Sequence, residues 1–468
     1  MSVMTDSPPK MDSSNVPNLL KVGEIDVNMA MDVSTDVNEP IVVNQNTCRF
    51  NLVNKGFLSS DSRITIGVKA NASVPDGFFP VNIGVHSLIK RATLSIGGQT
   101  ICEIDDYNFF KTYESMFLSN EINRDRESVM SGRQMSHDFK YADTVGSQSD
   151  TSADSYALDL GTDFRENTLD MKPYLKNANT GVFSIRLSEL FPFLKGINLP
   201  LFQISQEVLI DLVWEDSAAR CCTGSDAALV GKTFDIDTTE VKLISDYIFY
   251  DGEIMQRYAA AHKTQSFAYP DYRLTKTSLS VDDAKNSVRN LGGAGRVVGK
   301  VITGISDDNR DSSFILNKYS AIAPSRDYTN GTPALRGNGT LTTNIRMNDH
   351  FVFPIDLDNS AVLFDKTARA EGSLPFVTRE EYSGEGNILS TATLQGVPMN
   401  ASTGLVSNFF WQSYKLPSGR INSRGLELTT KLVSLPALSG TDTYTQRTWI
   451  ELRKVATLSD GFVNAEFV

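Results

Sequence analysis

The chain has 468 residues, 40% of them hydrophobic, with 25 Phe and 15 Tyr and a formal net charge of −12. That length is too great for one core and fits two domains of ordinary size with a tail to spare. The negative charge argues against a protein whose main task is to grip nucleic acid through its phosphates.

Four cysteines with no recurring spacing give neither a disulfide framework nor a metal site. Cys221 and Cys222 are neighbours, which rarely pair, so they read as free thiols made in a reducing compartment. No apolar run approaches the roughly 20 residues that span a bilayer. The start MSVMTDSPPKMDSS lacks the basic and apolar regions of a secretory signal. A soluble protein made in a cytosol is expected.

Residues 1–40 read as a flexible N-terminal arm. Seven acidic residues (Asp6, Asp12, Glu24, Asp26, Asp32, Asp36, Glu39) face only Lys10 and Lys21, and aromatics are absent. Such a segment should not fold alone. Val22, Ile25, Val27, Met29 and Met31 offer apolar groups that could order it against a neighbouring subunit, while its acidity counts against a genome-binding role.

From Cys48 strand signals arrive in quick succession. CRFNLV and RITIGVKA are rich in apolar and β-branched residues, and RATLSIGGQTICEI reads as a hairpin turning at Gly97-Gly98. In DDYNFFKTYESMFLSN the period changes: Phe109, Tyr113, Met116 and Phe117 fall at helical spacing, with Asp105 or Asp106 placed to cap the first turn. Residues 120–180 form a long polar connection. FSIRL, LPLFQISQEVLIDLVWED (Leu199–Asp216) and EVKLISDYIFY complete the first half. In the Leu199–Asp216 stretch Ile204, Gln206, Val208, Ile210, Leu212 and Trp214 alternate with a mixed register, which predicts one long strand with a face on a core. Short strands with long excursions suit a sandwich or jelly roll.

At Asp251 the helix formers of DGEIMQRYAAAHK predict a helical joint over 251–265, capped by Asp251. The strand pattern then restarts in YRLTKTSLSV, RVVGKVITGI, TLTTNIRM, HFVFPIDL, GLELTTKLVSL and RTWIELRKVATL. The division expected is an arm over 1–40, a first sandwich over 41–250, the joint over 251–265 and a second sandwich over 266–468. The matching size and style of the halves suggest two copies of one architecture, although no sequence repeat is visible.

Chemistry-bearing motifs are scarce. His86, His137, His262 and His350 stand among unlike neighbours, with no H-E-x-x-H and no cysteine at ligand spacing. LGGAGRVVGK at 291–300 is one residue short of a phosphate loop, has Val301 where a magnesium-binding hydroxyl should stand, and runs on into a strand; a glycine turn is expected. The adjacent carboxylates Asp105-Asp106, Asp282-Asp283, Asp307-Asp308 and Glu380-Glu381 read as caps and solvated loops, because acid–base pairs must converge across a substrate. Sequons beginning at Asn71, Asn330, Asn338 and Asn400 read as chance without a secretory signal. No catalytic residue, cofactor or metal site is expected.

The order of segments resembles the double jelly-roll major capsid proteins of eukaryotic double-stranded DNA viruses, the lineage of polinton-like viruses, virophages and nucleocytoplasmic large DNA viruses. The resemblance lies in RATLSIGGQTICEIDDYNFFKTYESMF, LPLFQISQEVLIDLVW, GRINSRGLELTT and RTWIELRKVATLSDG, and covers residues 45–468 in layout. It implies an all-β fold of two consecutive eight-stranded jelly-roll sandwiches, with a few short helices in loops and at the joint. Three chains would then make a pseudo-hexameric capsomer that tiles an icosahedral shell, with the excursions at 120–180, 305–340 and 366–410 on its outer face or clasping neighbours. The implied partners are other copies of the chain, penton proteins and minor capsid proteins, with no specific nucleic-acid binding and no transmembrane segment. The implied location is the virion, assembled inside the host cell. Phe109, Phe110 and Tyr113, and the run Phe409, Phe410 and Trp411, are the candidate interface residues, with local core as the alternative. A carbohydrate-binding or fibre-type sandwich would instead be a monomer with exposed aromatic platforms, and a jelly-roll hydrolase would need two carboxylates meeting in a cleft.

Overall fold

The computed structural model describes residues 31–70, 76–77, 83–117, 129–132, 175–176, 180–216, 234–280, 286–307, 319, 321, 341–377, 382, 409–417, 419–432 and 443–468. The first half contains β1 (Met31–Asn38), β2 (Val42–Val43), β3 (Thr47–Leu52), β4 (Phe57–Leu58), β5 (Arg63–Ala70), β6 (Asp76–Gly77), β7 (Ile89–Ile96) and β8 (Gln99–Asp105). Helix α1 (Tyr107–Ser115) follows, then β9 (Leu175–Lys176), β10 (Thr180–Arg186), the single turn α2 (Leu187–Leu190), β11 (Val208–Trp214) and β12 (Phe234–Tyr250). Helix α3 (Gly252–Ala261) leads into the second half: β13 (Thr264–Ser280), β14 (Asn286–Gly292), β15 (Val298–Asp307), β16 (Leu341–Met347), β17 (His350–Phe351), α4 (Ser360–Glu371), β18 (Gln412–Lys415), β19 (Leu426–Leu432), β20 (Thr443–Ser459) and β21 (Phe462–Phe467).

Strand order exposes the architecture. In the first half one sheet runs β1-β12-β5-β10 and the other β2-β3-β11-β7-β8. In the second half the sheets run β13-β20-β15-β18 and β14-β19-β16-β17. If β2, β4, β6, β9 and β21 are set aside, each half has eight strands among the described residues, and both halves join them first-eighth-third-sixth in one sheet and second-seventh-fourth-fifth in the other. That wrapped antiparallel order is a jelly roll, and the chain makes it twice. All the strand pairs are antiparallel. The two copies share topology without sharing sequence, because the order is fixed by where polar turns interrupt two-period apolar runs, not by particular side chains.

Local chemistry explains the elements that sequence reading placed correctly. The β7–β8 hairpin turns at Gly97 (φ 58°) and Gly98 (φ 80°), two consecutive left-handed residues that only a Gly-Gly pair adopts freely. Ala92, Leu94 and Ile96 are buried while Thr93 and Ser95 are half-buried, as the alternation requires. The Asp251 side chain accepts a hydrogen bond from the Glu253 N–H and caps α3, whose residues are all partly or fully exposed. Glycines at 292, 293 and 295 are left-handed and feed β15, a turn and not a phosphate loop.

Four expectations change. The strand read over Leu199–Asp216 is shorter: β11 covers Val208–Trp214 with Val208, Ile210, Leu212 and Trp214 buried, while residues 201–203 form a 3-10 turn. Pro200 has no N–H for a ladder, and its carbonyl accepts instead from the Gln203 N–H (3.1 Å), closing the turn that buries Leu201 and Ile204. The arm read over 1–40 is cut short, since Met31–Asn38 is the first strand of the first roll, in register with β12 from Met31↔Tyr250 to Asn38↔Leu243. HFVFPIDL holds only the two-residue β17, because Pro354, three residues beyond Phe351, has no N–H for a ladder and the chain bends away. Finally, α4 replaces the start of the excursion read over 366–410: Asn359 caps it through the Ala361 N–H, and Gly372 (φ 75°) ends it. The rest of the three expected excursions falls largely outside the described residues. So do His137, Cys221, Cys222, the sequon asparagines, Asp282, Asp283, Asp308, Glu380 and Glu381.

Each roll buries apolar residues between its two sheets, and the buried set continues from one roll into the other. That continuity is carried by aromatic side chains around α1, which is where the functional question lies.

Candidate functional site

β8 is the fifth strand of the first roll and the outer strand of its sheet, so among the described residues one edge of its backbone has no partner strand. The second roll supplies the partners as side chains. The Lys454 ammonium donates to the Thr100 and Ile101 carbonyls (2.9 and 2.7 Å), the Tyr269 hydroxyl also donates to the Ile101 carbonyl (2.8 Å), and the Trp449 indole N–H donates to the Asp105 carbonyl (3.1 Å). Gln99 exchanges hydrogen bonds with the backbone of Ala465 (2.9 and 3.1 Å). Covering a free edge in this way also blocks its pairing with another chain.

At the end of β8 the backbone turns sharply. Asp106 has φ 50°, ψ 47°, the left-handed conformation that Asp tolerates better than most residues, and this aims α1 across the junction. Asp106 stands at the cap position, as sequence reading placed it, but its carboxylate makes no cap hydrogen bond. It accepts instead from Arg447 Nε (2.8 Å) and Lys276 Nζ (2.7 Å) of the second roll. Burial alone would raise the Asp106 carboxyl, yet Arg447 and Lys276 outweigh it and hold it below the usual carboxylate range. Arg447 also donates to the Ser306 hydroxyl and lies 3.8 Å from the centre of the Phe109 ring.

The six residues nominated as inter-subunit contacts all lie inside the chain: Phe109, Phe110, Tyr113, Phe409, Phe410 and Trp411 are each at most 3% exposed. This corrects the expectation, because side chains with no free surface have none to offer a neighbour. Phe109 meets Tyr319 edge-on at 5.0 Å and Trp411 at 6.5 Å, and Phe110 packs on Tyr272 (4.5 Å) and Trp449 (5.7 Å). Tyr113 donates to the Glu371 carboxylate, and Lys300 holds that carboxylate at 2.5 Å. Phe410 packs at a tilt against Tyr382 (5.0 Å), Trp411 packs at a tilt against Trp449 (5.6 Å), and Phe409 forms a bridge with Ala321. Phe109, Phe110, Tyr113 and Trp411 meet across the boundary between the two rolls, while the partners of Phe409 and Phe410 belong to the second roll itself. Beside that boundary runs a groove of about 620 Å³ whose walls include Phe110, Phe193, Tyr269 and Tyr272.

Sequence reading missed the charged members, Arg447, Lys276 and Lys454. The available signal was a cation on a strand of otherwise buried residues: Arg447 is 5% exposed and Lys454 is 5% exposed within RTWIELRKVATL, a placement that requires a buried partner. The remaining candidates resolve simply. His86 is buried with Nδ1 2.9 Å from the Tyr107 hydroxyl, His262 closes α3, and His350 is exposed on β17. Cys48 and Cys102 are buried free thiols, and burial, the larger cause, pushes Cys48 up to about 12 with Asp211 adding to it. Among the described residues no cluster of His, Cys, Asp or Glu could hold a metal ion, and no helix is long and apolar enough to cross a membrane.

Two wrapped eight-stranded sandwiches fused through an ion-paired aromatic junction define a double jelly-roll protein. Residues 27–251 match the family described as major capsid protein N-terminus. The whole chain is similar in fold to solved viral capsid structures. These include the PBCV-1 virus capsid (13% identity, TM-score 0.55, 94% of this chain and 97% of that one) and the mavirus major capsid protein (11% identity, TM-score 0.53, 98% and 97%). The Sputnik virophage capsid structure is similar too (12% identity, TM-score 0.52, 100% and 93%). No curated protein sequence matches significantly. The chain thus shares the double jelly-roll fold of these capsid structures over its whole length, and its first roll carries the sequence signature of a major capsid protein N-terminus.

Proposed function

We propose that the chain homotrimerises and that the trimers, pseudo-hexameric in outline, tile the icosahedral shell of a double-stranded DNA virus. One observation carries the reading. Each chain presents two rolls with the same strand order, joined by buried hydrogen bonds and ion pairs, so three chains present six similar units. A closed ring of head-to-tail contacts is the ordinary way for one chain to build such a unit. The function is mechanical: shell strength comes from many lateral contacts, each weak enough to be remade when misplaced. The ion-paired junction holds the two rolls at one fixed angle, which a lattice needs more than it needs any single strong contact.

On this reading the chain acts without catalysis. Its partners are its own copies, neighbouring capsomers, penton proteins and minor capsid proteins, and it resides in the virion after assembly inside the host cell. The functional division is an arm over residues 1–30, a first roll up to residue 250, a joint helix, and a second roll from residue 264. Negative-stain microscopy of the purified full-length chain tests the proposal. Particles with a hexagonal outline and three-fold symmetry support it; a field of separate two-lobed monomers refutes it.

A further inference from the structure

Asp271 of β13 carries a buried carboxylate that its surroundings serve badly. The residue is 6% exposed, and its Oδ1 has no hydrogen-bond partner among the described residues. Lys454 of β20 is equally buried, and its Nζ lies 3.7 Å from Asp271 Oδ2, outside hydrogen-bond range. Burial outweighs the Lys454 charge and holds the Asp271 carboxyl above its usual range, with Glu103 adding to the rise. An ion pair this poorly hydrogen-bonded is a costly way to fill two buried positions.

The backbone fixes how the two groups meet. β13 and β20 are adjacent antiparallel strands, the first and last of roll two, and Tyr269 stands directly opposite Lys454. Asp271 is two residues on from Tyr269, so it and Lys454 are diagonal neighbours on one face, within reach of a long side chain. The Lys454 nitrogen also donates to the Thr100 and Ile101 carbonyls at 2.9 and 2.7 Å. An ammonium has three N–H groups, whereas a neutral amine has two and a lone pair. With both N–H groups held by these carbonyls, the lone pair is the part of the nitrogen left to meet Asp271. The Phe467 ring, 5.1 Å from Nζ, and the buried Tyr269 and Cys102 line the site.

We propose that Lys454 and Asp271 join covalently after folding, in an isopeptide amide between Nζ and Cγ that welds the first strand of roll two to the last. The step balances without a co-reactant. One ammonium proton passes to Oδ2, leaving an amine and an acid. The nitrogen lone pair attacks Cγ, and the π pair of the C=O bond moves onto Oδ1. A second nitrogen proton goes to the Oδ2 hydroxyl, which departs as water while the pair on Oδ1 re-forms the C=O bond. Adjacent strands hold the two groups in place of a chance encounter, and the flexible lysine stem supplies the last movement. The product suits the site better than the pair does. It buries no charge, its N–H keeps the Thr100 carbonyl, and the Ile101 carbonyl keeps the Tyr269 hydroxyl at 2.8 Å.

Mass spectrometry of the denatured full-length chain tests this, after storage of the folded protein at neutral pH. The linked chain is lighter than its sequence by one water. Trypsin, cutting after Lys263, Arg273 and Arg453, should release a branched peptide that joins residues 264–273 to residues 454–468. Lys454→Arg and Asp271→Ala should each show the full sequence mass and no branched peptide. The wild-type digest decides the matter even if a variant fails to fold. Separate, unbranched peptides from the wild type, or a water loss that survives Lys454→Arg, overturn the inference and leave the trimer reading untouched.

Discussion

Asp106 concentrates three constraints in one residue: a left-handed backbone, a buried carboxylate and two cations from the other roll. Asp106→Asn separates them, since Asn tolerates the same φ and nearly the same volume but removes the buried carboxylate charge to which Arg447 and Lys276 donate. Equilibrium denaturation should show a loss of about 3–5 kcal/mol, the usual result of breaking a buried pair from one side. The pH dependence has a definite sign. The Asp106 carboxyl titrates below its unfolded value of 3.8, so its contribution is complete above that value and is lost as pH falls through the folded one. The wild-type minus Asp106→Asn difference should stay flat above about pH 4 and shrink below it; a difference independent of pH would remove the ion pair from the account. Gly304 probes the aromatic side of the junction, because a Cβ there would meet the Trp411 ring at 2.3 Å and the Ala321 Cβ at 3.0 Å. Gly304→Ala should lower stability by about 1–3 kcal/mol through displacement of Trp411, and an unchanged denaturation midpoint would mean that the ring is not held there. The aromatic partners were readable as core material from their spacing. The charged partners were not, because a carboxylate at a helix start looks like a cap until a strand some 340 residues later is brought beside it.

At the scale of elements, the informative failure is β1. MDVSTDVN alternates apolar and polar residues like a strand, but its acidity and its place at the end of an acidic segment made it read as arm. Local composition and long-range pairing compete there, and pairing with β12, about 200 residues away, wins. The two readings predict different truncations. Deleting residues 1–30 should leave melting and trimer mass unchanged and impair shell assembly. Deleting 1–40 also removes β1 and exposes the edge of β12, and should yield aggregated or cleaved protein in limited proteolysis. Equal behaviour of the two truncations would show that β1 is dispensable. Strands with clean two-period alternation and a marked turn, such as β7–β8 and β11, were legible in type if not in length. α4 was not, because SAVLFDKTARAE lies next to a polar stretch and its burial depends on packing against β18.

At the scale of the molecule, the architecture was legible for a simple reason: the described residues form two equal sets of strands, and these leave few ways to bury their apolar faces. How the rolls join was not, since the contacts that fix their angle are single side chains from β8, α1, β13 and β20, far apart in sequence. The most direct test is the native mass of the full-length chain at neutral pH. The account predicts three times the 51.5 kDa of one chain at micromolar concentration. A mass that stays at 51.5 kDa as concentration rises contradicts it.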